Sequence, residues 1–505
     1  MEADYDLCII GGGINGAGIA REAAGRGLSV LLVEAQDLAQ GTSSASTKLI
    51  HGGLRYLEQG EFRLVRESLK EREILLKTAP HIVRPLEFVM PHVPTLRPKW
   101  MIGAGLWIYD HIAGRRSVAA SSAVSLHDSL LGEPLRDEYR DGFKYSDCWG
   151  DDARLVVLNA IDAKARGAEI LTRTACVHLM PPSGTDFWYV QLCDLRSGDE
   201  FQISARAVVN AAGPWVRGIL DASALATPET PKVRMVKGSH LIVPRLSGGE
   251  HAYLFQQPDK RVVFAIPYEH DYTLIGTTDE PFEGDPAQAS VSDGERLYLC
   301  DAVNRFFNVQ IAPDDALWTY SGVRALFDDG ADEARTVTRD YKLCMGGTAK
   351  APLLSVFGGK LTTYRSLAEK AVSLVSSGRN KNAGWTRKAP LPGGDLPFGS
   401  MRSFLDMQAS KYKFLPGGLL ERYARTYGTR MNILLEGMAD MKALGRDFGG
   451  GLYQAEVQYL VDHEFAMTAE DILWRRTKLG LKAEKRTVLA LEAALPDFLK
   501  EKKAA

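Results

Sequence analysis

The stretch Tyr5-Asp-Leu-Cys-Ile-Ile-Gly-Gly-Gly-Ile-Asn-Gly16 decides the fold of this chain. It predicts a short buried strand over 5–10, a glycine turn, and an alanine-rich helix over 14–26. A second apolar strand follows at 28–33. Strands that are apolar throughout are typical of a parallel sheet covered on both faces. The chain therefore begins with a βαβ unit, and we predict an α/β fold.

The glycines of this turn have the spacing of a dinucleotide-binding fingerprint. Gly11, Gly13 and Gly16 satisfy GxGxxG, and Glu34 closes the second strand 21 residues after Gly13. Glycine is needed because the pyrophosphate approaches the backbone closely, and the helix N-terminus offers unpaired N–H groups to it. A carboxylate at position 34 accepts hydrogen bonds from an adenosine ribose and repels a 2′-phosphate. We therefore predict a dinucleotide site at these four residues.

Composition excludes several classes of protein. The chain has 505 residues, of which 45% are hydrophobic and 25% charged, as in a globular protein of two or three domains. Its 61 basic and 63 acidic residues give a net charge of −2, so no basic field is present to bind nucleic acid. Its six cysteines form no CxxC pair and no Cys/His metal spacing. We predict free thiols in a reducing compartment and no metal site.

Two later segments repeat the combination of strand, small residues and helix start. Ala212-Gly213 follow a strand that begins at Ala205, and Gly358-Gly359-Lys360-Leu361 follow a strand that begins near position 352. No second GxGxxG fingerprint is present in the sequence, as an NADPH-reduced flavoprotein usually has. For a flavin dinucleotide, a helix N-terminus at Leu361 is suited to stabilise the negative charge that develops at the N1/C2 edge on reduction.

The pattern changes along the chain and predicts two domains. Short strands dominate between 187 and 277, and Pro390-Leu-Pro-Gly-Gly-Asp-Leu-Pro397 has the composition of a linker. Beyond it, residues 401–505 are rich in helix formers and poor in strand signals. We predict a mixed α/β body over 1–388 and an α-helical C-terminal domain over 389–505. Other predicted elements are helices at 60–78, 151–167, 291–307 and 361–377 and strands at 168–172, 335–345 and 352–357.

Together with Thr42-Ser-Ser-Ala-Ser-Thr-Lys-Leu-Ile-His-Gly-Gly-Leu-Arg-Tyr-Leu57, these segments resemble the FAD-dependent glycerol-3-phosphate dehydrogenases, with the aerobic, quinone-linked enzymes as the closest fit. More distantly, they resemble the glycine/D-amino-acid oxidase superfamily. The resemblance implies an FAD-binding Rossmann-like domain with an interleaved mixed-β substrate domain, roughly 81–139 and 236–345. Further similar segments are 145–149, 151–154, 237–240, 276–279, 318–324, 460–463 and 473–478.

The resemblance also implies a reaction. An enzyme of this family oxidises sn-glycerol 3-phosphate to dihydroxyacetone phosphate and passes the electrons to ubiquinone or menaquinone. The N-terminus has no export signal, and no apolar run reaches the 18 to 20 or so residues that span a bilayer. We therefore expect a cytoplasmic protein attached peripherally to the inner face of the cytoplasmic membrane. Residues 97–116 have an interfacial composition, although a buried helix with solvated ends fits equally well; the C-terminal helices are a candidate homodimer surface.

Substrate oxidation needs an anchor for the phosphate and a base for the hydroxyl proton. Within the resemblance, we expect Arg55, Arg324 and Lys360 to bind substrate. An unperturbed histidine has a pKa near ~6.5, so His51 and His240 compete for the role of base. Tyr56 is expected to contact substrate or line the pocket, and Asp279 to hold a turn. The assigned catalytic set is His51, Arg324 and Lys360; the substrate-binding set is Arg55, Tyr56 and His240.

The cofactor-binding set combines the fingerprint with the later glycine segments. Thr42, Ser43 and Ser44 can donate to a pyrophosphate or cap a helix. Three alternatives to the predicted function remain open, namely an oxygen-dependent glycerol-3-phosphate oxidase, an amine oxidase of the same superfamily, and a non-catalytic nucleotide-binding protein. The full set of predicted FAD-binding residues is Gly11, Gly13, Gly16, Glu34, Thr42, Ser43, Ser44, Ala212, Gly213, Gly358, Gly359, Lys360 and Leu361.

Overall fold

A computed structural model describes residues 2–114, 117–327, 340–376 and 383–504. The strands are β1 (Tyr5–Ile10), β2 (Val30–Glu34), β3 (Leu49–Ile50), β4 (Val83–Pro91), β5 (Ser122–Ser125), β6 (Asp141–Gly150), β7 (Glu169–Thr172), β8 (Thr174–Met180), β9 (Trp188–Asp194), β10 (Glu200–Asn210), β11 (Val233–Pro244), β12 (Ala252–Gln256), β13 (Val262–Tyr268), β14 (Tyr272–Gly276), β15 (Glu280–Pro281), β16 (Trp318–Phe327), β17 (Lys342–Gly347), β18 (Pro352–Phe357), β19 (Asp447–Gly449) and β20 (Leu452–Tyr453). The helices are α1 (Ile14–Gly25), α2 (Phe62–Thr78), α3 (Lys99–His111), α4 (Asp152–Ala165), α5 (Val216–Ala222), α6 (Asp293–Asn304), α7 (Tyr364–Val375), α8 (Met401–Lys411), α9 (Gly417–Tyr427), α10 (Met431–Leu434), α11 (Gln454–His463) and α12 (Lys485–Ala504).

The first sheet contains the predicted βαβ unit. Its strands run in the order β17-β18-β10-β1-β2-β7, and β9 pairs with both β10 and β8. The five strands from β18 to β7 are parallel. Helices α1, α4 and α7 share one hydrophobic core with the sheet, and α5 packs in a second core on other residues of the same strands. Burial on both faces explains why β1 and β2 are apolar along their whole length.

The second sheet is mixed, and most of its strands fall within the predicted substrate domain, roughly 81–139 and 236–345. Its main path is β15-β11-β14-β13-β12-β4-β6-β3, with β16 paired to β11 and β5 paired to β6. Helices α2 and α3 share a core with one set of its residues, and α6 shares a core with another. The strand pair β11–β16 runs antiparallel from Val233↔Phe327 to Ile242↔Trp318. It therefore places Arg324 and His240 on neighbouring strands.

Residues from 396 onwards form a separate hydrophobic core built on α8, α9, α11 and α12. Buried charges attach this core to the first sheet. Arg475 Nε and Arg476 Nη1 donate to Asp37 Oδ2 at 2.6 and 2.7 Å, and Arg154 Nη2 donates to Glu464 Oε1 at 2.9 Å. Burial acts to raise the pKa of Asp37, but the guanidinium groups of Arg476, Arg475 and Arg173 hold it well below its usual range.

The predicted α/β fold is confirmed, with corrections in detail. The proline-rich stretch 80–98 contains strand β4, and the strand predicted from Ala205 is the end of the longer β10, which begins at Glu200. The helix predicted from 361 begins as a 3₁₀ turn over Leu361–Thr363. Residues 335–339 of one predicted strand, with Arg115 and Arg116, lie outside the described residues. Strands that the sequence did not predict are β3, β4, β5, β6, β8, β12, β15, β16, β19 and β20.

The segment predicted as a linker is packed against the body. Leu391 N donates to Thr78 O at 2.7 Å, and Arg21 donates to the carbonyls of Ala389 and Pro390. The domain boundaries at 388 and 389 stay a prediction. In the part of the chain that the structure describes, no helix is both long and apolar enough to span a bilayer.

Candidate active site

The glycine turn after β1 leaves no room for side chains. Gly11 has φ +108°, and a Cβ added there would lie 2.6 Å from Ala211 O. A Cβ on Gly16 would lie 1.8 Å from Gly11 O, far inside van der Waals contact. Both positions therefore require glycine, and the backbone of the turn is open to a ligand in the way that a pyrophosphate needs.

Glu34 and Ser43 complete this turn from outside it. Gly12 N donates to Glu34 Oε2 at 2.6 Å, and Gln36 N donates to Oε1 at 2.8 Å. Burial raises the pKa of the Glu34 carboxyl, and these two N–H groups oppose that rise. Ile14 N donates to Ser43 Oγ at 3.0 Å, because the cap residue Gly13 has no side chain to accept this bond. The predicted capping role of Ser43 is present, and the carboxylate of Glu34 is fixed at the end of β2.

The second glycine pair joins the nucleotide turn to β16. Gly358 and Gly359 have φ +79° and +108°, and Asn15 Nδ2 donates to Gly358 O at 3.2 Å. A Cβ on Gly359 would lie 2.9 Å from Asn15 Nδ2, and one on Gly358 would lie 3.6 Å from Ala325 O. Asn15 Oδ1 is buried and has no hydrogen-bond partner among the described residues. The start of α1, the glycine pair and β16 therefore meet at one point.

The remaining predicted cofactor residues lie around the same point. Thr42 Oγ1 donates to Val323 O at 2.6 Å, which ties the 3₁₀ turn Thr42–Ser44 to β16. Ser44 Oγ lies 3.5 Å from Gly41 O. Gly213 has φ +55° and begins a 3₁₀ turn whose Trp215 ring lies 3.4 Å from a Cβ built on Gly41. Ala212 N donates to Asn210 Oδ1 at 3.3 Å, which fixes the backbone after β10, and the contact of Trp215 with Gly41 places this backbone beside the Thr42 turn.

His51 lies between the two sheets, directly after β3. Its N–H donates to Thr362 Oγ1 at 3.2 Å, two residues beyond Lys360. Burial lowers the pKa of His51 below 6.5; Asp147 opposes this change, whereas Lys360 and Arg72 add to it. The pKa of His51 therefore lies below the unperturbed value of a histidine. The imidazole is neutral at pH 7, which is the state that a general base requires.

Lys360 and Tyr56 are in direct contact. Lys360 Nζ lies 3.8 Å from the centroid of the Tyr56 ring, a cation–π geometry. Gly53, with φ +80°, allows this arrangement, since a Cβ there would lie 2.1 Å from the Tyr56 ring. Arg55 lies in the same 3₁₀ turn, Leu54–Leu57, and is partly exposed. The structure thus brings His51, Tyr56 and Lys360 together, with Arg55 on the same turn as Tyr56.

His240 is packed inside the second sheet. Its ring stacks on Tyr320 with centroids 4.7 Å apart, and its Nε2 lies 2.9 Å from Thr47 Oγ1. A Cβ on Gly276, its neighbour on β14, would lie 2.1 Å from the ring. Burial, and then the charges of Arg324 and Lys48, lower its pKa well below the usual value. His240 is therefore a neutral histidine held by packing on both sides.

Arg324 is oriented by an ion pair. Its Nη1 donates to Asp279 Oδ1 at 2.5 Å, and its Nη2 donates to Thr277 Oγ1 at 3.1 Å. A Cβ on Gly238 would lie 2.4 Å from Arg324 Nη2, so the guanidinium lies across that glycine. Asp279, expected only to hold a turn, fixes the direction of this guanidinium. Val323, the residue before Arg324, accepts a hydrogen bond from Thr42 Oγ1 with its carbonyl, so Arg324 lies next to the Thr42 turn in the chain fold.

Several residues that support the site were not predicted. Lys48 Nζ donates to Asp152 Oδ1 at 2.9 Å and to Ser44 O at 3.0 Å, and Ser46 Oγ donates to Asp152 Oδ2 at 2.7 Å. This pair fixes the segment that carries both Ser43 and His51. Lys48 and Asp152 both lie in segments that resemble the family, so the sequence marked each of them. It did not pair them, because spacing alone does not join residues that are 104 positions apart.

These residues fit a bound FAD. The glycine cradle, the Glu34 carboxylate and the unsatisfied Asn15 oxygen offer a backbone approach and polar groups to a dinucleotide. Lys360 directly follows the second glycine pair and lies over the Tyr56 ring, whereas the guanidinium of Arg324 lies against Asp279, Thr277 and Gly238. Across the described ranges, no cluster of three or more His, Cys, Asp or Glu residues is arranged to hold a metal ion.

Comparisons with known proteins agree over nearly the whole length. Residues 6–365 match the family described as FAD dependent oxidoreductase, and residues 385–502 match the C-terminal domain of alpha-glycerophosphate oxidase. A glycerol-3-phosphate dehydrogenase of Pseudomonas aeruginosa is 54% identical over 94% of this chain and 92% of its own. A D-erythritol 1-phosphate dehydrogenase of Brucella abortus is 49% identical over 94% of each chain. The aerobic glycerol-3-phosphate dehydrogenase of Escherichia coli is 48% identical over the same shares.

Solved structures give the same result. The glycerol-3-phosphate dehydrogenase from Bacillus halodurans, complexed with FAD, superposes with a TM-score of 0.77 at 29% identity and covers 99% of this chain and 91% of its own. The predicted FAD cofactor and the oxidase-type fold with a helical C-terminal domain are confirmed. The chain therefore belongs to the FAD-dependent oxidoreductase family, in the group that contains the glycerol-3-phosphate dehydrogenases.

Proposed function

We propose that the chain oxidises sn-glycerol 3-phosphate to dihydroxyacetone phosphate with FAD as its cofactor. The observation that carries the proposal is the meeting of His51, Tyr56 and Lys360 beside the Gly358–Gly359 pair, which itself contacts the nucleotide turn through Asn15. A base and a cation thus adjoin the predicted flavin position. The names of two relatives at 48% and 54% identity support the choice of substrate.

In this proposal, each side chain has one task. Lys360, Arg55 and Arg324 bind the phosphate, because a fork of N–H donors and a lysine point charge suit a dianion. His51 removes the proton of the substrate hydroxyl, since its lowered pKa leaves the ring uncharged at neutral pH. FAD, when bound, accepts the hydrogen of the alcohol carbon with its two electrons. His240 is the weaker candidate for the base, because its Nε2 is engaged by Thr47 and its Nδ1 is buried without a partner among the described residues.

A second substrate has a specific observation in its favour. The relative named D-erythritol 1-phosphate dehydrogenase is 49% identical over 94% of this chain, close to the values for the other two relatives. Both compounds are phosphorylated polyols with a secondary hydroxyl, so the same cations serve either one. We place glycerol 3-phosphate first because two of these three relatives bear its name.

Anaerobic absorbance of the purified flavoprotein tests this proposal. We expect glycerol 3-phosphate to bleach the flavin bands, and D-erythritol 1-phosphate to do so only at much higher concentration. The reverse order would give the second substrate instead. Bleaching by glycine or D-amino acids, but not by either phosphate, would identify an amine oxidase. A tightly bound flavin that none of these compounds reduces would leave a non-catalytic nucleotide-binding protein.

For the second half of the reaction, we propose a membrane quinone, ubiquinone or menaquinone, as acceptor. The name of the aerobic relative from Escherichia coli supports this choice over an oxidase. Turnover should be fast with a short-chain quinone and should yield little hydrogen peroxide in its absence. A stoichiometric yield of peroxide per substrate oxidised would identify the oxygen-dependent oxidase instead.

We further propose that α3 contacts the inner face of the cytoplasmic membrane. Its outer face is apolar, with Trp100 73% exposed and Trp107 63% exposed, and Met101 and Ile108 are also exposed. The opposite face packs through Ile102, Leu106 and Tyr109. Exposed tryptophans on one side of a short amphipathic helix are typical of interfacial contact. The exposure of Trp107 and Ile108 supports this contact over the alternative of a buried helix with solvated ends.

Vesicle flotation tests this contact with a matched pair of variants. Trp107→Ser removes apolar surface from α3, whereas Leu130→Ser removes a more exposed apolar side chain, 82% against 63% for Trp107, from another segment. With vesicles of phosphatidylethanolamine and phosphatidylglycerol, we expect Trp107→Ser to weaken binding about tenfold, from the ~1.5 kcal/mol lower bound for burying a large apolar side chain. Equal binding by both variants, or a wild type that stays in the soluble fraction, would contradict the proposal. We also propose that the C-terminal helices form a homodimer surface. Sedimentation of the detergent-free protein tests this proposal, since a homodimer has twice the mass of the single chain.

A further inference from the structure

A buried tyrosine contacts the backbone of the substrate loop. Gly52 N, the amide directly after His51, donates to Tyr109 Oη at 2.8 Å. Tyr109 Oη in turn donates to Asp147 Oδ2 at 2.7 Å. The tyrosine belongs to α3 and the aspartate to β6, so one hydroxyl links three separate segments. Gly52 N also lies 3.4 Å from Asp147 Oδ1, so the aspartate contacts the loop amide directly as well as through the tyrosine.

The aspartate that accepts from Tyr109 is itself fixed. Arg72 on α2 donates to Asp147 Oδ1 at 2.8 Å and to the carbonyl of Ser146 at 3.1 Å. Asp147, Tyr109 and Arg72 are all buried. Burial, and then the charge of Asp147, raise the pKa of Tyr109 well above its usual value. The hydroxyl is therefore protonated at every pH at which the enzyme works, and it remains able to donate.

The fit between the loop and the tyrosine is tight. A Cβ on Gly52 would lie 2.6 Å from Tyr109 Oη and 2.6 Å from Leu69 Cδ2. The neighbouring His51 N–H donates to Thr362 Oγ1 at 3.2 Å. Two successive amides of the loop are thus bonded to different elements, α3 and the turn after Lys360. The direction in which the loop presents His51 depends on both bonds, since neither amide can rotate without breaking one of them.

We propose that Tyr109 is a positioning residue for substrate oxidation: its hydroxyl fixes the Gly52 amide and thereby the orientation of His51 and of the turn that carries Arg55. Asp147 and Arg72 hold the hydroxyl in place. This inference rests on the proposed function, because it takes the base and the phosphate anchor to be on this loop. The hydroxyl of Tyr109 is bonded to Gly52 N and Asp147 Oδ2, so we assign its effect to the geometry of the loop.

The test compares Tyr109→Phe with Tyr145→Phe in the FAD-loaded protein. Tyr145 is a buried tyrosine of the same cluster, with its ring 6.2 Å from that of Tyr109, and it makes no hydrogen bond to the loop among the described residues. We expect Tyr109→Phe to retain FAD and to lower the anaerobic rate of flavin reduction at saturating substrate about tenfold, a typical result of misplacing a catalytic group. Tyr145→Phe should reduce its flavin at nearly the wild-type rate. A wild-type rate of flavin reduction in both variants would overturn the proposal, and so would the same decrease of that rate in both.

Amide hydrogen exchange gives a second reading that does not depend on catalysis. We expect a peptide covering residues 49–57 to exchange faster in Tyr109→Phe than in the wild type, and to be unchanged in Tyr145→Phe. Unchanged exchange in both variants would overturn the proposal even if activity fell. A wild-type flavin that no phosphorylated polyol reduces would instead refute the proposed function, while faster exchange would still support the role of the hydroxyl in fixing the loop.

Discussion

The nucleotide end and the substrate end of the site are built in different ways. At the nucleotide end, the contacts are made by backbone groups, and the partners are near in sequence: Gly12 and Glu34 are 22 residues apart, and Ile14 and Ser43 are 29 apart. At the substrate end, groups from distant segments meet: the N–H of His51 donates to Thr362 Oγ1, 311 residues away, and Lys360 Nζ lies over the ring of Tyr56. The first end is a local motif, whereas the second exists only once both sheets have formed.

This difference predicts different consequences of mutation. A local backbone cradle tolerates no added atom, so a substitution there should abolish cofactor binding. A group of side chains from separate elements can lose one member and keep its scaffold, so a substitution there should lower catalysis while FAD remains bound. Measuring FAD binding and catalysis separately in each variant therefore assigns the substituted residue to one end of the site.

The largest effect is expected for Gly16→Ala. The new Cβ would lie 1.8 Å from Gly11 O, so the turn must open. We expect a colourless protein without bound FAD and a free energy of unfolding lowered by about 1–3 kcal/mol or more, as for an overpacked site. Absorbance of the purified protein and thermal unfolding measure the two effects.

Gly218→Ala is the matched control. Gly218 lies in α5, and a Cβ there meets no atom within 4 Å. Because alanine favours a helix over glycine, we expect stability equal to or up to about 1 kcal/mol above that of the wild type. A yellow Gly16→Ala protein with normal stability would show that the turn is not the rigid cradle described here.

The same contrast explains what the sequence could predict. Gly11, Gly16 and Glu34 follow from spacing, because the strand, turn and helix that position them are consecutive. The partners of the substrate loop do not follow from spacing: Tyr109 and Asp147 lie 57 and 95 residues from Gly52, and only the pairing of β3 and β4 with β6 brings the aspartate to the loop. Strand β4 was missed for a similar reason, since its prolines argue against a helix and do not reveal its partner.

The roles of the individual site residues stay predictions for a related reason. Family resemblance selected His51, Arg324 and Lys360, but not the pairing of Arg324 with Asp279 or the contact of Lys360 with Tyr56. The charge state of His51 was also outside the reach of sequence. Burial and the neighbouring charges set it, and both depend on the packing of α2, β6 and the turn after β18.

Lys360→Met is expected to have an intermediate effect, confined to the substrate end. Removing a charged hydrogen-bond donor from a phosphate costs about 1.5–3 kcal/mol, which corresponds to a loss of about 10- to 100-fold in kcat/KM. We expect FAD to remain bound, because the glycine cradle is unchanged. Steady-state kinetics and the ratio of flavin to protein measure both properties.

Lys370→Met provides the matched control for this variant. Lys370 also lies over a tyrosine ring, that of Tyr341 at 5.1 Å, but it is half exposed and pairs with Glu67 outside the site. We expect kinetics close to those of the wild type. If Lys360→Met lost its FAD, Lys360 would belong to the nucleotide end of the site and not to the substrate end.

The smallest effect is a shift in the pH profile, and it separates the two candidate bases. A base must lose its proton before it acts, so the rate of flavin reduction should rise with pH through the pKa of His51, which lies below 6.5. Asp147→Asn removes a negative charge that raises this pKa, so the acidic limb should move to lower pH. Lys360→Met removes a positive charge that lowers this pKa, so the acidic limb should move to higher pH.

If His240 were the base, the acidic limb would instead respond to the charges of Arg324 and Lys48, because these are the charges that lower the pKa of His240. Opposite shifts in Asp147→Asn and Lys360→Met would therefore identify His51, and two unshifted profiles would exclude it.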